Sequence, residues 1–182
     1  MCIRYEPPLT CTRTRTRTRT RRSWNWLINN TKGFLDTEAS YPYKGDKPTG
    51  QCQPKTAVTS DFKVGSWKII NEDKKTHNQD AFLLEMIKGG PCNIGVDASC
   101  LSGYKDGVIT NCTGKGVDHA NVIVGSGTMP ESEESVQYWI VKNSWSDTWG
   151  EDGFYKVARN TQQMQIDACW HAYVSSDATL PN

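Results

Sequence analysis

Apolar residues recur at helical spacing in two segments of the chain. The first segment ends at Asn29-Asn30, and the second lies between Asn78, a residue type that caps helices, and the stop Gly89-Gly90-Pro91. The apolar positions are Trp24, Leu27 and Ile28 in the first segment and Ala81, Phe82, Leu84, Met86 and Ile87 in the second. The first segment resembles the last turns of a longer helix, and the second predicts a helix with both ends present.

Most of the remaining chain has the pattern of strands. Branched residues between Ala57 and Ile70 favour one strand. Glycines and polar turns separate further apolar runs, which predict strands at Ile94–Ala98, Val108–Thr110, Ala120–Val124, Val136–Lys142 and Phe154–Ala158. One or two helices followed by a run of strands indicate an α+β domain built on an antiparallel sheet or a small barrel.

The first 22 residues differ from the rest in composition. Residues 12–22 read TRTRTRTRTRR, and residues 1–22 carry seven arginines against Glu6, a net charge of +6. Because the whole chain of 182 residues carries +1, residues 23–182 carry −5. The repeat is open to three interpretations: a basic arm for nucleic acid or anionic membrane, a disordered low-complexity tail, or an artefactual translated repeat that stands where another exon belongs. We therefore divide the chain into a basic tail, 1–22, and a domain, 23–182.

Charge, cysteine content and hydropathy restrict the class of protein. The acidic body disfavours a nucleic-acid-binding protein, whose basic charge usually covers a folded face. No apolar run approaches the roughly 20 residues that span a bilayer, and residues 1–10 show no apolar signal-peptide core. Seven cysteines and two glycosylation sequons, starting at Asn29 and Asn111, favour an oxidising compartment. The cysteines thus favour an oxidising compartment, whereas the lack of a signal-peptide core in residues 1–10 does not support one.

The three histidines lie in different contexts. His77 is in a polar stretch and is expected to be solvated, whereas His171 could be packed or exposed. His119 opens the apolar strand Ala120–Val124 directly after a glycine-rich loop. A lone histidine at a strand start is most often structural, so a chemical role for His119 needs a second residue.

Asn143 is that second residue. It ends the apolar strand that begins at Tyr138, and neighbouring strands can place its side chain beside His119. An asparagine oxygen that accepts the imidazole N–H fixes the orientation and tautomer of the ring, which is the base-and-orienter half of a nucleophilic triad. Trp145 could shield this bond from water, although Trp145 and Trp149 would serve equally well as core packing.

Other catalytic and metal motifs are not indicated. Cys92, Cys100, Cys112 and His119 are spaced 8, 12 and 7 residues apart without a close Cys-x-x-Cys pair, so zinc is not predicted. Gly125-Ser126-Gly127 lacks the flanking glycines of a nucleophile elbow.

Four segments, in order, resemble landmarks of the papain-like cysteine peptidases. They are LDTEASYPYKG, GGPCNIGVDAS, VDHANVIVGSG and YWIVKNSWSDTWGEDGFYKVAR. The resemblance runs from Trp24 to Ser176 and is greatest to the kinetoplastid cathepsin L-like branch of the cruzipain kind, which also has a small polar residue at the position of Ser146. It implies an incomplete papain-like fold: a β-barrel-like right lobe with remnants of the helical left lobe.

The resemblance implies endopeptidase cleavage of peptide bonds through a Cys-His-Asn triad. His119 and Asn143 match the family's catalytic positions, and Trp145 and Trp149 match its supporting positions. The nucleophile of the family lies in a Cys-Gly-Ser-Cys-Trp-like motif, which this chain does not contain. The chain is therefore expected to be inactive alone. The alternatives are a non-catalytic pseudopeptidase that binds peptides or inhibitors, and a basic-tailed nucleic-acid-binding protein.

The same resemblance implies a substrate pocket and a disulfide. Gly95, Ala120 and Val174 match positions that line the pocket for the residue two before the scissile bond. Cys112 and Cys169 match a disulfide of the β-rich lobe. The family partner of Cys52 belongs to the missing segment, and Cys92 and Cys100 receive no partner and could be small buried hydrophobes.

The resemblance also implies the partners and the location. Peptide or protein substrates and cystatin-like or propeptide inhibitors are expected to bind, the protein is expected to be a monomer, and its location to be lysosomal or secreted. No cofactor, metal, nucleic acid or membrane span is expected.

Overall fold

The computed structural model describes residues 15–35, 37, 39, 63–71, 75–112, 116–130, 135–161, 163–166 and 168–174, with the backbone alone at 15–20, 130 and 174. The prediction made for Cys52 concerns a residue outside these ranges. The helices are α1 (Arg15–Thr31) and α2 (Asp80–Gly89). The strands are β1 (Val64–Asn71), β2 (Cys92–Val96), β3 (Val108–Ile109), β4 (His119–Pro130), β5 (Ser135–Lys142), β6 (Phe154–Ala158) and β7 (Ala168–Val174). The chain divides into two compact units: Lys68–His171, and the residues before Lys68 together with those after His171.

In the smaller unit, α1 begins inside the threonine–arginine repeat. Its C-terminal end is closed by the amide of Gly33, which donates to the carbonyl of Leu27 at 3.2 Å. Leu27 is buried, as the periodicity predicted. The structure differs from the expected tail because residues 15–22 continue this helix. Because nucleation is the costly step of helix formation, residues of the repeat can extend a helix that the following residues have already formed.

The strands form one mixed sheet in the order β1-β7-β2-β4-β5-β6-β3. The pairs β2–β4, β2–β7, β4–β5 and β5–β6 are antiparallel. The pair β3–β6 is parallel, with Val108 opposite Lys156, so the expectation of a purely antiparallel sheet is wrong. The α+β class is confirmed.

The strand β4 is longer than the sequence predicted, because its glycines continue the ladder rather than end it. Gly127 pairs with Tyr138 of β5, and a Cβ at Gly127 would come within 2.5 Å of the Tyr138 ring. Glycine here admits the ring of the neighbouring strand. The ladder shifts register between Ile123 and Gly125, a bulge that bends the strand.

The core of the larger unit lies between α2 and the sheet. Phe82 stacks on Trp139 with ring centroids 6.3 Å apart. The buried amide of Gln79 accepts a hydrogen bond from the Trp139 indole at 2.6 Å and donates to the carbonyl of Ile166 at 2.7 Å. The Arg159 guanidinium lies 5.0 Å over the Trp139 ring and pairs with Asp80 at the start of α2. This core holds the strands that carry the site.

Candidate active site

His119 is the first residue of β4, and the neighbouring strand fixes its place. It pairs with Val96 of β2, and the Asp118 amide before it donates to the Val96 carbonyl at 3.1 Å. The Asp118 carboxylate accepts the amide of Ala98 at 2.9 Å. These bonds hold the backbone on which the half-buried imidazole stands.

Asn143 follows directly after β5, and hydrogen bonds hold both its backbone and its side chain in place. Its amide donates to the Gly153 carbonyl at 2.9 Å, and its Oδ1 accepts the amide of Ser144 at 2.8 Å. Val122 pairs with Lys142, so the next positions along the ladder bring Asn143 opposite Asn121. The side chain is 8% exposed.

The structure brings the two predicted residues into contact. His119 Nε2 lies 2.9 Å from Asn143 Oδ1, within hydrogen-bond distance. The antiparallel β4–β5 pairing closes the separation of 24 residues that the sequence leaves between them. This contact orients the imidazole, which leaves its Nδ1 atom as the ring nitrogen available to other groups.

The tryptophans predicted to support the pair form an aromatic cluster beside it. The Trp145 ring lies 5.4 Å from the His119 ring, centroid to centroid, and is tilted by 34°. Trp149 meets Trp145 edge-on at 5.2 Å and Tyr155 edge-on at 6.1 Å. Apolar rings on this side reduce the access of water to the bond between His119 and Asn143.

Sequence reasoning missed Asn121, which belongs to the same group. It is 4% exposed, and its Nδ2 lies 2.9 Å from Asn143 Oδ1 and 3.2 Å from His119 Nε2. Its Oδ1 accepts the Tyr155 hydroxyl at 3.2 Å. One signal was present: Asn121 is a polar residue inside an otherwise apolar strand, and buried polar groups need partners.

A charged clamp fixes the loop that carries Trp149. Glu151 accepts the Tyr104 hydroxyl at 2.6 Å and pairs with Lys156 at 2.5 Å. Burial raises the pKa of Glu151, but the bonds from Lys156 and Tyr104 outweigh it and hold this pKa below its ordinary value. Burial and the bond to Glu151 raise the pKa of Tyr104. The loop is thus tied to β6 by a carboxylate that stays ionised.

Two of the three expected pocket residues are adjacent. Gly95 of β2 pairs directly with Ala120 of β4, one residue after His119. Val174 is the last residue of β7, and its side chain lies outside the described part. The pocket role of these residues stays a prediction.

The expected disulfide between Cys112 and Cys169 is wrong. Cys169 is bonded to Cys92, and Cys112 is bonded to Cys100. The register of β2 against β7 places Ile94 opposite Cys169, which leaves Cys92 at a diagonal position with a Cα–Cα distance of 5.8 Å. Such a distance suits a disulfide. Both cysteines that had received no partner are therefore bonded.

Among the described residues, no group of three histidine, cysteine, aspartate or glutamate side chains lies close enough to hold a metal ion. Neither helix in the described ranges has the length and apolar character to cross a membrane.

Comparison with known sequences identifies relatives. The chain is 35% identical over 144 residues to a cysteine proteinase of Trypanosoma brucei brucei and 34% identical over 148 residues to cysteine proteinase B of Leishmania mexicana. These alignments cover 78% and 81% of this chain but 29% and 30% of the relatives. The chain thus spans less than a third of the length of these curated relatives.

Solved structures and a family model agree. The bromelain protease of Ananas comosus, solved in complex with the E64 inhibitor, superposes with a TM-score of 0.62 at 28% identity, covering 85% of this chain and 68% of that one. A model described as papain family cysteine protease matches residues 12–174, a range that starts inside the repeat. This family model matches most of the length of the chain. The chain therefore belongs to the papain family of cysteine proteases, a family of endopeptidases.

Proposed function

We propose that this chain supplies the histidine–asparagine half of a papain-type site that cleaves peptide bonds. The observation that carries the proposal is the 2.9 Å contact between His119 Nε2 and Asn143 Oδ1, with Trp145 beside it. An imidazole oriented in this way can take a proton from a thiol at its other nitrogen and stabilise the thiolate as an ion pair. The two-lobed architecture belongs to the same proposal: this chain would hold the β-rich lobe and remnants of the helical one.

The proposal includes inactivity of residues 1–182 on their own. They contain no cysteine in the family's nucleophile motif, and four of the seven cysteines are bonded in pairs. A papain-type histidine that has no thiol beside it has no nucleophile to activate. In another hydrolase, loss of the nucleophile lowers kcat by on the order of 10⁶-fold.

The first experiment measures activity and labelling of the chain itself. Purified residues 1–182 are expected to leave a fluorogenic peptide uncut and to show no cysteine labelled by a thiol-directed epoxide in a manner that depends on His119. Labelling that disappears in His119→Ala would contradict the inactivity. Peptide binding without cleavage, again dependent on His119, would instead support the non-catalytic pseudopeptidase.

The second experiment supplies the nucleophile half of the proposed site from a relative. A chimera joins the N-terminal half of a related cysteine proteinase to residues 23–182 and is assayed on the same peptide. We expect activity that His119→Ala abolishes and Asn143→Ala reduces, while His77→Asn, a change in a distant turn, leaves it unchanged. A folded chimera whose activity survives His119→Ala would refute the proposed role of the pair.

Partners and location follow from the family as part of the proposal. The substrates are peptides or proteins, propeptide-like or cystatin-like inhibitors are candidate ligands, and the compartment is lysosomal or extracellular. The two disulfides fit an oxidising compartment.

A further inference from the structure

Tyr104 lies between β2 and β3, and the backbone that leads to it is anchored in the core. Its amide donates to the carbonyl of Leu101 at 3.1 Å, and the Leu101 amide donates to the carbonyl of Ala98 at 3.0 Å. The Leu101 side chain is buried, and Cys100 beside it is bonded to Cys112. The point from which the Tyr104 side chain extends is therefore set by the core of the larger unit.

The hydroxyl group at the other end of Tyr104 is fixed by a charged group and a backbone amide. Two acceptors for its single proton are within reach: Glu151 Oε1 at 2.6 Å and the Gly107 carbonyl at 2.7 Å. The proton goes to Glu151, because an ionised carboxylate is the stronger acceptor. The Lys156 amide donates to the hydroxyl oxygen at 3.2 Å. Both ends of the side chain are thus held.

Between these two ends, the Tyr104 ring packs against the loop that carries Trp149. The ring centroids of Tyr104 and Trp149 are 5.6 Å apart, and Tyr155 meets Tyr104 edge-on at 6.1 Å. Gly150 has a φ of 60°, and a Cβ there would come within 3.2 Å of the Tyr104 ring. The ring therefore lies directly on the backbone of the loop and supports Trp149 from the side.

Aromatic contacts lead from this loop to the imidazole. Trp149 meets Trp145 at 5.2 Å, and Trp145 lies 5.4 Å from the His119 ring. Trp145 is the half-buried ring beside the 2.9 Å contact between His119 Nε2 and Asn143 Oδ1. A hydrogen bond is stronger where water is excluded. The strength of this bond therefore depends on where Trp145 lies, and Tyr104 forms the far end of the row of rings that holds it.

We propose that Tyr104 is a positioning residue that keeps water away from the hydrogen bond between His119 and Asn143. It acts through the two tryptophans, because its ring supports Trp149 and Trp149 in turn supports Trp145. The consequence for catalysis rests on the proposed function: a shielded bond keeps the imidazole oriented towards a nucleophile. Tyr104 therefore affects the rate of the chemical step rather than the binding of a peptide.

The test is proton exchange at the imidazole, measured by NMR on the full chain of 182 residues. An N–H group that donates to a shielded acceptor is protected from exchange with water and gives a separate low-field resonance. The His119→Gln variant assigns this resonance among the three histidines of the chain. We expect a protected Nε2–H of His119 in the wild type. A wild-type N–H that exchanges as fast as that of free imidazole would overturn the proposal, since Tyr104 would then shield nothing.

Two variants separate the hydroxyl of Tyr104 from its ring. Tyr104→Phe keeps the ring and loses the bond to Glu151, so exchange of the His119 N–H is expected to become about fivefold faster, the effect of one ordinary hydrogen bond. Tyr104→Leu loses the ring as well and should accelerate exchange by about tenfold or more. Equal exchange rates in the wild type and Tyr104→Phe would refute the proposal, even if Tyr104→Leu failed to fold.

An internal reporter and a matched variant distinguish this effect from a general loosening of the fold. The Trp139 indole N–H, which donates to the buried Gln79 amide at 2.6 Å, should keep its exchange rate in both Tyr104 variants. Tyr173→Leu removes a half-buried tyrosine of β7 and should leave exchange of the His119 N–H unchanged. Parallel acceleration of the indole and imidazole N–H groups in the Tyr104 variants would show an effect on overall stability alone and would overturn the proposal.

The chimera described above provides a second readout, one that depends on the proposed function. In it, Tyr104→Leu should lower kcat by about tenfold and leave KM within about twofold, because Tyr104 acts on the imidazole rather than on the peptide. An inactive chimera would contradict the proposed function and leave the exchange result standing. An active chimera whose kcat is unchanged by Tyr104→Leu would refute the positioning role while the function stands.

Discussion

Burial lowers the pKa of His171, the histidine of β7 whose environment the sequence left open. The side chain is 0% exposed, and Gly89 at the end of α2 lies so close that a Cβ there would come within 2.2 Å of the ring. Burial, with Lys68, lowers the pKa of His171, while Glu85 and a bond to the Gly89 backbone act in the opposite direction. The net result is that folding favours the neutral form of the ring.

This lowered pKa predicts acid sensitivity. As pH falls below the ordinary histidine value, about 6.5, the unfolded chain takes up a proton that folded His171 does not. The free energy of unfolding therefore decreases as pH falls, by up to about 1.4 kcal/mol per pH unit, until the folded pKa is reached. Urea unfolding between neutral and mildly acidic pH should show a smaller decrease for His171→Gln than for the wild type.

The control for this measurement is a histidine in a different environment. His77→Asn removes a histidine from a turn, where the backbone φ of 53° suits asparagine. Equal acid slopes in the wild type, His77→Asn and His171→Gln would show that burial of His171 does not govern the response.

At the residue scale, the candidate site was partly readable in the sequence. His119 and Asn143 were found because a histidine at a strand start and an asparagine at a strand end are both unusual in apolar surroundings. Asn121 was not found, because alternation along β4 gives only the face on which a residue lies. Asn121 is bonded to Asn143, which follows β5, and to Tyr155 of β6, so both partners come from other parts of the chain.

At the scale of elements, pairing between strands decided the disulfides. Strand β7 was not predicted at all, so the position of Cys169 relative to β2 could not be derived. Once β2 and β7 pair, Cys92 lies next to Cys169. Cys112 is instead bonded to Cys100, at the end of the 3₁₀ turn Ala98–Cys100 that follows β2.

This arrangement predicts the result of peptide mapping. Digestion without reduction should release one linked pair containing Cys92 and Cys169 and another containing Cys100 and Cys112. The first bond closes a separation of 77 residues and the second one of 12. In the chain-entropy model they stabilise the fold by about 4.5 and about 3 kcal/mol. Replacing Cys92 and Cys169 by serine should therefore lower the unfolding free energy more than replacing Cys100 and Cys112 by serine.

The outcome that would contradict this pairing is specific. A major peptide linking Cys112 to Cys169 would restore the original expectation and would place β7 differently from the structure. Chemical unfolding of the two double variants, Cys92→Ser with Cys169→Ser and Cys100→Ser with Cys112→Ser, provides the matched comparison.

At the scale of the whole molecule, the substrate preference of the proposed peptidase depends on a complete papain-type site. Gly95 and Ala120 are paired neighbours in the sheet, and Val174 ends β7. If all three line the pocket proposed from the family, an arginine of the substrate would be buried there without a counter-charge, which is costly.

The chimera should therefore prefer leucine or phenylalanine over arginine two residues before the scissile bond. The difference in kcat/KM is expected to be on the order of 100-fold, and Val174→Glu should reduce it by supplying a counter-charge. Matched peptides that differ only at this residue provide the measurement, with Val136→Glu as a control on a different strand. Equal kcat/KM for the two peptides, unchanged by Val174→Glu, would remove Val174 from the pocket.

The sequence by itself determined the class of fold, the second helix and most strands, because period and turn residues are local properties. It also singled out His119 and Asn143, since their types and positions stand out along the chain. The tertiary structure alone decided the parallel β3–β6 pair, the cysteine partners and the contacts of Asn121. Each of these depends on which distant strands become neighbours, and that is set by packing of the whole sheet rather than by the residues next to it in the chain.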